Sequence, residues 1–222
     1  MPMSRRVEPV AGSPVIDVNV RDQLVVLILE DGRTLTAPIG WAGPALATVG
    51  ASIQSEWVLT DDRRGVNWPA AGLMSPQGAL NVWALEQDAL FDQALRDLER
   101  ADWNTAALVP RSRSLISLWR LVADGYNGGL RQFFGNWGTT ELHSTLIALA
   151  EIGAKRTHGI VLEFSEVVSS LVALDDTATF DEVCAGMPAG TCLRLDELDE
   201  AFWESADELT HLVPAAYGPV LP

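Results

Sequence analysis

From Val15 to Pro69 apolar residues alternate with polar ones or run together, whereas from Leu85 onward they recur every three to four positions. The first rhythm belongs to strands and the second to helices. Val15-Ile16-Asp17-Val18-Asn19-Val20 alternates, and Leu24-Val25-Val26-Leu27-Ile28-Leu29 suits a strand buried on both faces. Asp31-Gly32 follows at once as a hairpin turn, and Arg33 to Pro38 returns. Pro44 opens a short helix through Ala45, Leu46 and Val49, closed by Gly50. Trp57 to Thr60 and Gly65 to Pro69 read as the last strands, joined by the charged turn Asp61-Asp62-Arg63-Arg64. Residues 1–13 read as a disordered leader.

Gly72, Pro76 and Gly78 mark a boundary, and helices are expected beyond it. Leu85, Ala89, Leu90, Leu95 and Leu98 form one amphipathic pattern, predicting a helix from about Glu86 to Arg100. Ser112 or Ser114 is the expected cap of a helix through Leu115, Leu118, Trp119 and Val122. Thr139 or Thr140 opens another through Leu142, Leu146, Leu149 and Ile152, ending at Gly153. A helix over 160–174 precedes Asp175-Asp176 and a loop with Gly186, Pro188 and Gly190. The last runs from about Leu195 to Leu212, with Leu198, Phe202, Leu209 and Leu212 inward. The expected fold is α+β, a small ββαβ domain over 14–78 followed by a helical domain over 84–222.

Between two of those helices lies Tyr126-Asn127-Gly128-Gly129-Leu130-Arg131-Gln132-Phe133-Phe134-Gly135-Asn136-Trp137-Gly138. The glycine pair allows positive φ or close backbone approach. Leu130, Phe133 and Phe134 share one face of a short helix, and Gly135 and Gly138 frame a second turn carrying Trp137. Such a stretch is either a packing corner between helices or a binding loop, and both readings stay open here.

Charge changes the picture more than composition does. The net charge is −15, and residues 84–222 hold 22 acids against nine bases. From Gly159 onward there are 13 acids and one base, Arg194. A field of this sign repels nucleic acid and membrane surfaces and attracts basic proteins. Asp196, Glu197, Asp199, Glu200, Glu204, Asp207 and Glu208 are expected to make a largely outward acidic face on the last helix. Hydrophobic content of 48% and eight tryptophans predict a packed globule rather than a disordered acidic chain. No apolar run reaches bilayer length and no signal peptide is legible, so a cytoplasmic location is expected.

Catalytic chemistry finds little support. The chain has one lysine, Lys155, and no phosphate-binding glycine motif that contains it. His143, His158 and His211 are scattered without ligand spacing, and no nucleophile elbow exists. Cys184 and Cys192 are too few for a disulfide framework and read as small buried hydrophobes. Asp175-Asp176 and Asp181-Glu182 read as solvated acids. No catalytic residue, metal or cofactor is expected.

Asn127-Gly128-Gly129, Gln132-Phe133-Phe134, Asn136 and Gly138, with Ala148-Leu149 and Ile152-Gly153-Ala154 downstream, resemble the bacterial family typified by DNA mimic protein nineteen. The resemblance covers roughly Leu85 to Leu212. Leu130 stands where that family usually has an aromatic, and Trp137 where a small polar residue is common. It implies a mostly helical fold, and an acidic protein that binds a nucleic-acid-binding partner in place of DNA. The segment from Val15 to Pro76, with its Asp-Gly hairpin and Gly65-to-Pro69 motif, is similar to a second bacterial family of small ββαβ domains of unknown function. Its members occur alone or ahead of helix-turn-helix segments. The expected function is therefore a non-catalytic acidic module that binds a basic partner without touching nucleic acid itself. An antitoxin or immunity protein against a basic toxin or nuclease is the alternative, and an enzyme the third reading.

Overall fold

Leu24–Leu29 becomes the middle strand of an antiparallel sheet because its branched apolar side chains need cover on both faces. In this computed structural model, which describes residues 8–172, 187–205 and 207–219, that strand (β2) lies between β1 (Val15–Arg21) and β3 (Thr34–Pro38). Val18 pairs with Leu27, and Leu27 with Leu35. The Asp31-Gly32 turn forms as expected, with Gly32 at φ +86° and its N–H bonded to the Leu29 carbonyl. The β1–β2 turn carries no glycine: Asp22 and Gln23 both hold positive φ, at 52° and 63°.

Three short helices follow, α1 (Ile39–Ala42), α2 (Pro44–Thr48) and α3 (Ala51–Gln54). A second antiparallel sheet comprises β4 (Val58–Leu59), β5 (Gly65–Asn67) and β6 (Leu80–Asn81). Strand β6 and the division into two sheets were not legible in the ββαβ pattern. Trp68 is fully buried at the end of β5, its Nε1 donating to the Gln54 carbonyl at 2.9 Å. Of the leader expected to be disordered, residues 1–7 lie outside the described residues, whereas Val10 and Gly12 are tied into the fold, contrary to expectation. Gly12 lies flat on the Trp83 ring, its N–H donates to Glu86 Oε2 at 2.7 Å, and its carbonyl accepts from Arg64 Nε at 2.6 Å.

The chain divides into two compact units, Met1–Leu90 with Tyr217–Pro222, and Phe91–Ala216. The division falls inside helix α4 (Val82–Arg100) rather than at the glycine-rich turns before it. Val82 and Leu85, on the first turns of α4, belong to the core around Trp68 and Val66.

The second unit is helical. Helix α5 spans Pro110–Glu151, interrupted at Gly128, Gly129 and Gly138, so that it is three helical segments in series. Ser112 and Ser114 do not cap it. Pro110 occupies the first helical position and needs no donor satisfied there. Ser112 Oγ instead donates to Asp97 Oδ2 at 2.8 Å and Ser114 Oγ to Glu151 Oε2 at 2.9 Å. The end of α5 is the one expected: Gly153 at φ +74°, with Gly153 N–H on Ala150 and Ala154 N–H on Leu149, closes a Schellman motif.

Helix α6 (Lys155–Val172) begins five residues earlier than periodicity indicated. The expected single C-terminal helix is two, α7 (Ala189–Ser205) and α8 (Asp207–Tyr217), and α7 starts within the stretch assigned to a loop. Helices α5, α6 and α7 pack on one another around Leu118, Phe133, Phe164 and Phe202, all fully buried. Asp175-Asp176, Asp181-Glu182, Cys184 and Gly186 lie outside the described residues. Cys192 is half-buried with a free thiol.

Candidate functional site

The glycine-rich corner is built by the sequence as a helix interruption. Gly128 leaves the helical region and Gly129 adopts φ +79°, ψ −176°, a conformation essentially restricted to glycine. The helix restarts at Leu130 and is broken again at Gly138, φ +70°, ψ −169°. Gly135, expected to frame the second turn, stays helical. Leu130, Phe133 and Phe134 face inward as their spacing indicates, and Phe134 meets Phe164 edge-on at 6.1 Å. Asn127 and Asn136 are exposed, and Asn127 Nδ2 donates to the Ala123 carbonyl.

A restarted helix exposes unpaired N–H groups and the positive end of its dipole. Asp199 fills that position. Only 4% exposed, it accepts the Leu130 N–H at 2.6 Å, and Arg131 Nε stands 3.5 Å from its other oxygen. The carboxyl packs so closely that a Cβ on Gly129 would lie 2.5 Å from both oxygens. Asp199 is thus removed from the outward acidic face expected of it. Burial raises its pKa above the ordinary carboxylate value, with the Asp196 charge adding to this, while the Leu130 N–H and Arg131 oppose.

The corner's polar side chains close on Asp124, which accepts from Gln132 Nε2 at 3.1 Å and Trp137 Nε1 at 2.5 Å. The other face of the Trp137 ring region carries Arg120, whose guanidinium is 3.9 Å from the ring centroid and 2.6 Å from Glu141 Oε2. Sequence reasoning missed Asp124, Arg120 and Glu141. On the α7 side, Trp203 Nε1 donates to the Gly125 carbonyl at 2.8 Å, and Phe202 packs against Gly125 and Tyr126.

The remaining six acids of the candidate face stay at the surface, but most are engaged. Asp196 pairs with Arg131; Arg194 bridges Glu197 and Glu163; Glu204 pairs with Arg156 at 3.1 Å. Asp207 accepts from Tyr126 Oη at 3.4 Å, and burial followed by this charge pushes the Tyr126 phenol up to about 12. Glu208 is half-buried and structural. Its Oε1 accepts both N–H and Oγ1 of Thr157, 2.9 and 2.8 Å away, in the first turn of α6. Among the described residues, the side chain of Glu200 alone of the seven has no hydrogen bond or ion pair.

Among the described residues no group of three or more His, Cys, Asp or Glu is placed to hold a metal ion, and no helix is long and apolar enough to cross a membrane. The family model described as DMP19-like protein matches residues 106–217, which hold the whole of α5 with its corner, α6, α7 and α8. No curated protein and no solved structure matches the chain.

Proposed function

The chain belongs to the DMP19-like protein family, and on that premise we propose that it is a non-catalytic, cytoplasmic acidic module that occupies the basic cleft of a nucleic-acid-binding protein. The observation that carries the reading is the row Asp196, Glu197, Glu200 and Glu204, exposed along one stretch of α7. It places four carboxylates within about 12 Å of helix axis, against a phosphate every 3.4 Å or so along one DNA strand. Arg131, Arg156 and Arg194 offset part of this charge, but their ion pairs are solvent-exposed. Exposed pairs contribute little, so a partner's cations can replace them at small cost.

The corner has a different role in this reading. It fixes α7 against α5 through Asp199 and Trp203, and so holds the acidic row on a rigid element. Residues 1–90, the bulk of the N-terminal unit, lie outside the matched residues. The unit's Asp31-Gly32 hairpin and Gly65-to-Pro69 motif are what support a second module of the small ββαβ kind, although its six strands form two sheets.

Duplex DNA tests the proposal by competition. A basic partner recovered at low salt should be released by duplex DNA at concentrations that saturate its own cleft. A partner that holds this protein and DNA together would contradict cleft occupancy.

A further inference from the structure

Glu200, Trp203 and Glu204 stand at i, i+3 and i+4, the spacing of one face of α7, and Asp207 is the first residue of α8. Trp203 is the odd member of that row. It is 45% exposed, yet its orientation is fixed by the hydrogen bond to the Gly125 carbonyl. Tyr126, the next residue along α5, is 47% exposed and fixed as well, between Phe202 at 6.2 Å and the Asp207 carboxylate. The core below this junction is filled by Phe202, fully buried, so packing does not require two large rings in an acidic surface.

Rings flanked by carboxylates attract a cation twice, through the negative π face and through the charges beside it. The planar, weakly hydrated guanidinium exploits both better than an ammonium does. The same unit already contains such a contact, Arg120 on Trp137. Aromatic anchors that hold an arginine, ringed by polar groups, are also what dominates the energetics of protein interfaces.

We propose that Trp203 and Tyr126 form the anchor site for an arginine side chain of the basic partner, with Glu200, Glu204 and Asp207 as its acidic rim. The inference rests on the acidic-module reading and adds to it that recognition is selective for arginine rather than for positive charge alone.

The test titrates the full chain, 15N-labelled, with an octa-arginine peptide and with an octa-lysine peptide of equal charge. The arginine peptide should bind about threefold tighter or more and shift the Trp203 indole N–H resonance. Trp203→Leu should weaken arginine binding about tenfold and abolish the preference, whereas Trp203→Phe, which keeps a ring, should preserve it. Tyr126→Leu should reduce the preference too, and gives an independent reading if Trp203→Leu lowers the melting temperature. Equal affinity for both peptides, with a steep salt dependence, would overturn the anchor while leaving the acidic-module reading standing. Absence of binding by either peptide would overturn both. A self-associating chain made monomeric by Trp203→Leu in sedimentation would overturn the anchor in favour of a second copy of the protein.

Discussion

At Gly129 the main chain turns into a conformation that side chains reject, and the Asp199 carboxyl occupies the space a Cβ would need. Gly138 shares the backbone strain but faces open space. The two positions therefore separate strain from packing. Gly138→Ala should cost about 1–3 kcal/mol from backbone strain alone. Gly129→Ala should cost about 1–3 kcal/mol more, because it also displaces the acceptor of the buried Leu130 N–H. Thermal denaturation of the two variants measures the difference. A Gly129→Ala protein that melts like Gly138→Ala would mean that Asp199 does not hold the corner. The glycine was legible as a special position, but Asp199 was read as one acid among seven. The apolar spacing of the helix held the missed signal: Asp199 lies four residues after Leu195, one after Leu198 and three before Phe202, on the buried stripe. A carboxylate on that stripe must have a partner, and a restarted helix in the same chain supplies one.

At the scale of elements, helix α4 serves two cores. Its first turns carry Val82, Leu85 and Glu86 into the N-terminal unit, where Glu86 accepts the Gly12 N–H and pairs with Arg33 at 2.7 Å. A fragment of residues 1–78 lacks all three. It should show no cooperative melt, while residues 1–90 should melt as a unit; calorimetry of both fragments decides this. Equal cooperativity would mean that these residues are dispensable and that the boundary lies at the glycine-rich turns. Turn residues pointed to those turns because a linker and a hairpin loop have the same composition. Helix periods were read well where a stripe was continuous, as from Leu142 to Ile152. They failed at α7, whose first turn contains Gly190 and Thr191, and at the division between α7 and α8. Gln23 and Asp22 hid the first hairpin for a similar reason, since both adopt positive φ without glycine.

For the whole molecule, acid acts on the two units in opposite directions. Burial alone would raise the pKa of Asp31, but the N–H groups of Arg33 and Val10 and the Arg33 guanidinium hold it below its ordinary value. Asp62 is likewise held low, by Thr60 and Arg64 against burial. Their stabilisation is present above the unfolded carboxylate value and is lost as pH falls through the lower folded one. Asp199 is raised, so its folded form takes up a proton first. Stability in its unit rises as pH falls through that raised value towards the unfolded one. Relief of repulsion in a chain of net charge −15 adds to the gain. Mild acidification from neutral pH should raise the melting temperature of residues 91–216, and stronger acid should unfold the N-terminal unit first. Hydrogen exchange resolved by residue across the pH range reports each unit separately. Simultaneous loss of protection in both would contradict the prediction.

In the proposed function the acids on α7 form a charged surface for a partner and are not part of the fold. Asp196→Asn, Glu197→Gln, Glu200→Gln and Glu204→Gln together remove four charges while keeping side-chain shape, and they spare the structural acids Asp199 and Glu208. The deciding measurement is the affinity of the recovered basic partner for the wild type and for this variant over a series of salt concentrations. The wild type should weaken steeply with salt, because exposed charges are screened beyond about 8–10 Å. The variant should bind more weakly at low salt, through slower association, with a shallower slope and an unchanged or higher melting temperature. An unaltered affinity and slope in the variant would rule out a charged docking surface and leave the acids as a solubility device.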